Sequence, residues 1–196
     1  MAASDLLRRH PAEWRAATRH PFLDGVRDGR VPAGAFSSWL QQDYLFVSDL
    51  LTFQARLLAT APRSAQSVLA AGLVALEAEL TWFEEHLAQR GLRSAAPRHT
   101  TTDAYRAELD RILTKPFEAG VSALWALELA YLEAWRGAAP GAAQYREFVE
   151  HWTAPGFAAY VDRLGAHATD SPAAEEAWLR VVRLERAFWD MALDAG

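Results

Sequence analysis

Apolar residues recur every three or four positions through most of this chain, and short breaks containing Pro or Gly separate the repeating segments. This period places apolar side chains on one face of an α-helix. Alternating runs of β-branched residues bounded by turn residues, which would indicate strands, are nearly absent. The pattern predicts an all-α protein, and because the breaks are too short to act as linkers, it predicts one domain over residues 1–196.

The breaks divide the chain into a bundle of seven or more helices, several of which reach about 20 residues. A plausible N-cap at Ser4 starts the first helix, and Gly29 and Gly91 mark helix ends. The pair Thr100 and Asp103 resembles a capping box. The expected helices cover about 4–18, 21–28, 32–60, 64–90, 100–115, 117–136, 142–151, 157–166 and 171 to the C-terminus.

Three carboxylates, Asp43, Glu128 and Glu185, stand where the helical pattern calls for a hydrophobe. Residues three and four apart share one helix face, so each acid is expected to point into the packed interior. An unpaired carboxylate there costs several kcal/mol or stays protonated. Three such acids on three long helices predict a buried acidic pocket that binds a ligand. Their apolar neighbours on the same faces are Leu40 and Val47, Leu124 and Tyr131, and Val181 and Phe188.

Each acid alone also has a structural interpretation. Asp43 could be bonded to a neighbouring arginine or to a tyrosine hydroxyl. Glu128 could be bonded to Tyr131, which follows one turn later on the same face. Arg186 follows Glu185 but points about 100° away on the helix, so it is a poor neutralising partner. The Leu and Trp residues around Glu128 should raise its pKa by desolvation, which suits general acid/base catalysis.

Charge and composition exclude several classes of function. The net charge is −5, and acidic and basic residues are interspersed without a basic stripe, so a nucleic-acid partner is not expected. The chain shows no signal-type apolar segment and no apolar stretch of about 20 residues, so no membrane partner and a cytoplasmic location are expected. The absence of cysteine excludes disulfides and thiolate nucleophiles.

The residue patterns of metal and nucleotide sites are missing too. None of the six histidines completes a Glu-x-x-His pair of the di-iron type, and Glu147 with His151 reads as a helical ion pair. No Gly-rich phosphate loop and no Gly-x-Ser-x-Gly motif occurs. We therefore expect neither a metal nor a cofactor. Glu77 and Glu79 flank an apolar stripe and are interpreted as solvated or helix-pairing residues.

Several short motifs are distributed over nearly the whole chain. They are His20-Pro21-Phe22, Asp28-Gly29, Phe36, Gln42-Asp43-Tyr44, Tyr105, Phe117, Tyr131, Trp152, Phe157, Glu185 and Phe188-Trp189. Each motif is weak alone, but their order and spacing are specific. Taken together, they resemble the TenA family, also called thiaminase II.

The chain looks like the branch of that family that lacks a catalytic cysteine, the TenA-E type. Leu127 takes the position of the cysteine, Glu128 follows it, and Phe46 stands where the cysteine branch has a tyrosine. The resemblance implies a haem-oxygenase-like fold, a homodimer or homotetramer, and salvage of thiamin-derived pyrimidines rather than cleavage of thiamin. Members of this branch hydrolyse the aminomethyl or formylaminomethyl derivative of 4-amino-2-methylpyrimidine toward the hydroxymethylpyrimidine that is used in thiamin synthesis.

Each of the three acids can be given a different role in such a reaction. Asp43 would accept a hydrogen bond from the 4-amino group, and Glu185 would share a proton with a ring nitrogen. Glu128 would act on the leaving amine or on the attacking water. Two other interpretations stay open: a metal- or cofactor-dependent helical oxidase of the same fold, and a non-catalytic protein that binds or senses a pyrimidine. The aromatic walls of the site are expected to come from Tyr44, Phe46, Tyr131 and Trp152.

Overall fold

The computed structural model describes residues 3–195, which contain ten α-helices and no strand. The prediction of an all-α bundle is confirmed. The helices are α1 (Ser4–Arg9), α2 (Pro11–Thr18), α3 (Pro21–Asp28), α4 (Ala33–Thr60), α5 (Arg63–Gln89), α6 (Thr100–Ile112), α7 (Phe117–Ala138), α8 (Arg146–Trp152), α9 (Pro155–Gly165) and α10 (Pro172–Asp194).

Helix α7 is the centre of the bundle. From Ala119 to Glu128 every residue is buried, as expected for a helix that is apolar on nearly all sides. Helices α2, α3, α8, α9 and α10 all pack against it, while α4 pairs mainly with α5. A polar side chain that points from α7 toward its neighbours therefore has no route to bulk water except through a cavity.

Several helix boundaries follow the local signals in the sequence. Gly29 ends α3 in the left-handed conformation, with φ of 73°, which glycine adopts without strain. The Ser171 hydroxyl accepts a hydrogen bond from the backbone N–H of Ala174, and Pro172 occupies the first position of α10.

The structure differs from the predicted helices in several places. The expected first helix is two helices, because His10 leaves the helical conformation (φ −125°, ψ 54°) and Pro11 begins α2. Helix α6 begins at Thr100 as expected, but it is capped by His99 rather than by a capping box, since the His99 ring accepts from the Thr101 N–H at 3.1 Å. Helix α8 begins at Arg146, because residues 143–145 form a turn.

The large aromatic residues form a continuous core beside α7. Trp39 and Trp135 lie 5.3 Å apart between ring centroids, and both side chains are fully buried. Trp135 in turn stacks on Trp152 at 4.8 Å. These rings fix the ends of α4, α7 and α8 relative to one another. Within residues 3–195, no helix is both long enough and apolar enough to span a membrane.

Candidate active site

A narrow chamber lies between α4, α5, α7, α8, α9 and α10, with about 360 Å³ of space not occupied by atoms, part of it open to solvent. It brings together all three acids that the sequence singled out, Asp43, Glu128 and Glu185, and adds a fourth, Glu79. The four carboxyl groups come from four different helices. The rest of the lining is apolar or aromatic: Phe46, Val47, Leu50, Leu76, Leu127, Tyr131, Trp152 and Phe157.

Three of the four carboxyl groups are held by neutral aromatic donors. Within residues 3–195, none of the four forms an ion pair with an Arg, Lys or His side chain. The chamber therefore holds acidic groups without a protein cation to compensate them. The bonds run from the Tyr131 hydroxyl to Asp43, from the Tyr105 hydroxyl to Glu185, and from the Trp152 ring N–H to Glu79 at 2.9 Å.

Glu128 is the exception, because its carboxyl group has no hydrogen-bond partner among the residues that the structure describes. Its side chain lines the chamber, and only 7% of the residue surface is exposed. The sequence left open a structural bond between Glu128 and Tyr131, but the Tyr131 hydroxyl donates to Asp43 instead. A buried carboxyl group without a partner is unfavourable for the fold alone. A ligand in the chamber would supply what is missing.

Desolvation raises the pKa of every acid in the chamber. The pKa of Asp43 and that of Glu128 lie well above their usual values, and the charges of Glu79 and Glu185 raise both further. For Glu185, burial raises the pKa to about 7 against the opposing hydrogen bond from Tyr105. Glu185 can therefore gain or lose its proton near neutral pH, which suits acid/base chemistry.

Glu79 was expected to be solvated or to pair helices; it lines the chamber, and its hydrogen bond from Trp152 joins α5 to α8. It lies on the same face of α5 as the buried residues Leu76 and Phe83, three residues after one and four before the other. That spacing was visible in the sequence and could have revealed it. Burial raises the pKa of Glu79 to about 7, partly opposed by the hydrogen bond from Trp152.

Tyr44 is placed outside the chamber, contrary to the expectation that it would form one of the walls. It follows Asp43 directly, so it lies about 100° around the helix from that acid. With Asp43 pointing inward, Tyr44 faces α5, where its hydroxyl donates to Glu84 at 2.9 Å. Arg186, as expected, does not neutralise Glu185, and its guanidinium lies 3.5 Å from Asp190.

The other three expected aromatic residues, Phe46, Tyr131 and Trp152, do line the chamber. Each ring is held by further aromatic packing. Phe46 lies 4.5 Å from Tyr105 between ring centroids, and Tyr131 stacks on Trp189 at 5.7 Å. Rings fixed in this way form rigid flat walls at little further loss of side-chain entropy when a planar ligand binds.

A second, wider cavity lies outside the chamber, and we call it the vestibule. It has about 1010 Å³ of space, part of it open to solvent, between α5 and the α8–α9 region. Glu79, Trp152 and Phe157 line both cavities, so they form the throat between them. Its other lining residues are Ala75, Ala78, Trp82, His151, Ala154, Gly156 and Tyr160.

The chamber is suited to a small planar ligand that offers hydrogen-bond donors or a positive charge. Its walls are flat and apolar, and its polar groups are carboxyls that can accept hydrogen bonds and transfer protons. In the part of the chain that the structure describes, no three His, Cys, Asp or Glu side chains are arranged to hold a metal ion together.

The sequence is similar to proteins described as TenA or TENA-E. Residues 7–195 match the model of the TENA/THI-4/PQQC family. A Glycine max protein described as a probable bifunctional TENA-E protein is 27% identical, over 95% of this chain and 90% of its own.

Solved structures of TenA homologues have the same fold as this chain. A TenA homologue from Pyrococcus furiosus is 28% identical and superposes with a TM-score of 0.92, covering 98% of this chain and 100% of its own. A TenA homologue from P. horikoshii, at 19% identity, superposes with a TM-score of 0.90 over the whole of both chains. The haem-oxygenase-like all-α fold implied by the sequence is confirmed.

Proposed function

Because this chain belongs to the TENA/THI-4/PQQC family, we propose that it is a hydrolase that salvages thiamin-derived pyrimidines. Its substrates are the aminomethyl and formylaminomethyl derivatives of 4-amino-2-methylpyrimidine. The aminomethyl compound is hydrolysed to hydroxymethylpyrimidine and ammonia, and the formylated compound is first hydrolysed to formate and the aminomethyl compound. The likeness to a TENA-E protein supports this choice of branch. The observation that carries the proposal is the chamber of four carboxyl groups. Among residues 3–195 they have no cationic side chain as a partner, and one of them, Glu128, has no hydrogen-bond partner.

Two of the acids suit recognition of the pyrimidine ring. Asp43, fixed by the Tyr131 hydroxyl, accepts a hydrogen bond from the 4-amino group and so makes that nitrogen a better electron donor. Glu185, fixed by Tyr105, shares a proton with a ring nitrogen. Its pKa of about 7 allows it to hold that proton or release it near neutral pH. The aromatic walls keep the ring in one plane between these two groups.

Glu128 suits the reaction at the exocyclic carbon. As an acid it protonates the departing nitrogen, and as a base it takes a proton from the attacking water. Burial favours its protonated form, and the lack of a protein partner leaves both oxygens available to substrate and water. A general acid/base group of this kind contributes roughly 10²- to 10⁴-fold to the rate.

Thiamin cleavage through a thiolate is not part of this proposal. The chain contains no cysteine, and Leu127, which precedes Glu128 on α7, lines the chamber with an apolar side chain. The route through an enzyme-bound thioether is therefore closed to this protein.

The test is an assay of purified protein with each pyrimidine and with thiamin. We expect hydroxymethylpyrimidine and ammonia from the aminomethyl compound, formate and the aminomethyl compound from the formylated one, and intact thiamin. A protein that binds hydroxymethylpyrimidine but turns over neither pyrimidine would be a binding protein, and cleavage of thiamin would place it in the other branch. Either result would overturn the proposal.

A further inference from the structure

We propose that the chamber prefers the aminomethyl substrate to its formylated form, and that Glu79 at the throat, together with Glu128, sets this preference. The inference rests on the proposed function and narrows it. It follows from two properties of the chamber. Its tyrosine and tryptophan donors already donate to carboxyl groups, and, within residues 3–195, carboxyl groups without a cationic partner lie near the throat.

Among the residues that the structure describes, the chamber lining has no tyrosine or tryptophan donor free for the carbonyl oxygen of a formyl group. Amide hydrolysis places negative charge on that oxygen, and enzymes stabilise it with hydrogen-bond donors aimed at the site. The Tyr131 hydroxyl and the Trp152 ring N–H are the side-chain donors among the residues that line the chamber, and both donate to carboxyl groups. The Tyr105 hydroxyl behind the wall donates to Glu185.

Only a protonated carboxyl group is left to serve the formyl oxygen. Glu128 and Oε2 of Glu79 are the candidates, because neither has a hydrogen-bond partner within residues 3–195. A carboxyl group whose proton is held for the carbonyl oxygen cannot at the same time accept a proton from water. The formylated substrate therefore requires one of these two acids to stay protonated, whereas the ammonium form of the amine uses both as acceptors.

An ammonium group, in contrast, matches the uncompensated acids. It carries three N–H donors and one positive charge. Glu128 has both oxygens available, and Glu79 uses only Oε1 for the bond from Trp152, which leaves Oε2 unbonded. The charge of Glu79 raises the pKa of Glu128, so the two acids repel each other when both are ionised. A bound ammonium removes that repulsion.

Glu79 also stands in the right place to act on the substituent rather than on the ring. Asp43 and Glu185 hold the ring in the proposed complex, whereas Glu79 lines both the chamber and the vestibule. The vestibule offers no competing cation: His151 stacks on Trp82 at 4.2 Å, and burial lowers its pKa to about 4, so it is neutral at pH 7. A charged substituent therefore finds its counter-charge at the throat.

The proposed reaction balances without a co-reactant. The bond between the exocyclic carbon and the ammonium nitrogen breaks, and its electron pair leaves with nitrogen as ammonia. The oxygen of a water molecule forms the new bond to carbon. Glu128 takes the proton that this water loses and passes it to the departing ammonia, so the products are hydroxymethylpyrimidine and ammonium.

The experiment compares kcat/KM for the two pyrimidines in the wild-type protein and in Glu79→Gln, which keeps an oxygen for the Trp152 bond. The wild type should favour the amine by about 10²-fold, the usual effect of a missing oxyanion donor. Glu79→Gln should lower kcat/KM for the amine by about tenfold, the effect of one nearby opposite charge. It should not lower kcat/KM for the formylated substrate.

Glu77→Gln is the matched control, since it removes the same charge from an exposed position of α5. It should change neither rate. An unchanged melting temperature in Glu79→Gln excludes misfolding, and if the variant unfolds, the wild-type ratio alone still tests the preference.

The possible outcomes separate this inference from the proposed function. Equal rates on the two substrates in the wild type would overturn the preference and leave the proposed function intact. An equal loss on both substrates in Glu79→Gln would overturn the role of Glu79. Turnover of neither substrate would overturn both proposals.

Discussion

The same helices carry acids in two contrasting environments. On α4, Asp43 enters the chamber and accepts a hydrogen bond from a neutral tyrosine, whereas Asp49 lies at the α4–α6 edge and is paired with Arg98. On α10, Glu185 enters the chamber, whereas Glu176 lies outside and is paired with two arginines. The chain has 20 Lys and Arg residues, so a cation for the chamber was available in the composition.

This difference indicates what each set of acids does. The outer acids carry their counter-ions in the protein and link neighbouring helices. The chamber acids are bonded to neutral groups or to none, although burial makes their ionised forms far less favourable than at the surface. Their cation or hydrogen-bond donor must then come from a ligand, and that is the basis of the proposed function.

The largest expected effect comes from Glu185→Gln. The amide keeps the shape of the side chain but cannot share a proton with the ring. We expect kcat for ammonia release to fall by about 10²- to 10⁴-fold, with the melting temperature equal to or above that of the wild type. Steady-state ammonia release and thermal unfolding measure the two quantities.

Glu176→Gln is the control for that variant, because it removes a carboxylate from the same helix in the outer environment. It should leave turnover unchanged. If both variants retained full activity, the chamber would have no special role and the comparison between the two environments would carry no functional meaning.

Glu128→Gln should have the next largest effect, a loss of roughly 10²-fold in kcat, because it removes proton transfer at the exocyclic carbon. Binding of hydroxymethylpyrimidine should change only a few-fold, since the ring is held by other residues. Titration calorimetry and steady-state kinetics together separate the two. Full activity would return Glu128 to a structural role.

The two environments should also differ in how pH affects stability. The native pKa of Glu185, about 7, lies above its ordinary value of 4.5. The native state therefore binds this proton more tightly, so its stabilising contribution is complete below pH 4.5 and is lost as pH rises through 7. Relative to wild type, Glu185→Gln should gain about 1 to 3 kcal/mol in the free energy of unfolding between pH 4 and pH 8.

Urea unfolding of both proteins across this range measures that gain. A difference between them that did not vary with pH would show that Glu185 titrates normally in the native state. Its assigned proton-sharing role would then be wrong.

The smallest expected effect comes from Arg98→Ala in the outer environment. Arg98 bonds to Asp49 and to Asp103 and is partly exposed. Its loss should lower the free energy of unfolding by about 1 kcal/mol, as for other partly exposed ion pairs, and should leave kcat unchanged. Chemical unfolding and the ammonia assay test this pair of outcomes. A large fall in kcat would show that the α4–α6 edge positions the chamber.

Local physical rules explain what the sequence could predict. Helical spacing of apolar residues defined most helices, and departures from that spacing pointed to Asp43, Glu128 and Glu185. These inferences use only one helix at a time. The chamber as such could not be derived in this way, because its shape depends on how α4, α7 and α10 are oriented around one another.

Tyr44 and Glu79 show which features cannot be predicted from the spacing of residues within one helix. Tyr44 was expected to form a wall of the chamber. It directly follows Asp43, which points into the chamber, so the Tyr44 side chain faces α5 instead. Glu79 was interpreted as solvated or helix-pairing, and its place in the chamber was missed although it shares a face with Leu76 and Phe83. The bond from Tyr131 to Asp43 joins residues 88 positions apart, and no local pattern encodes it.

The most direct test of the central claim is a crystal structure of the protein with hydroxymethylpyrimidine bound. We expect the ring in the chamber, its 4-amino group on Asp43, a ring nitrogen on Glu185, and the hydroxymethyl group facing Glu128. A ligand bound elsewhere, or an empty chamber at saturating ligand concentration, would contradict the account.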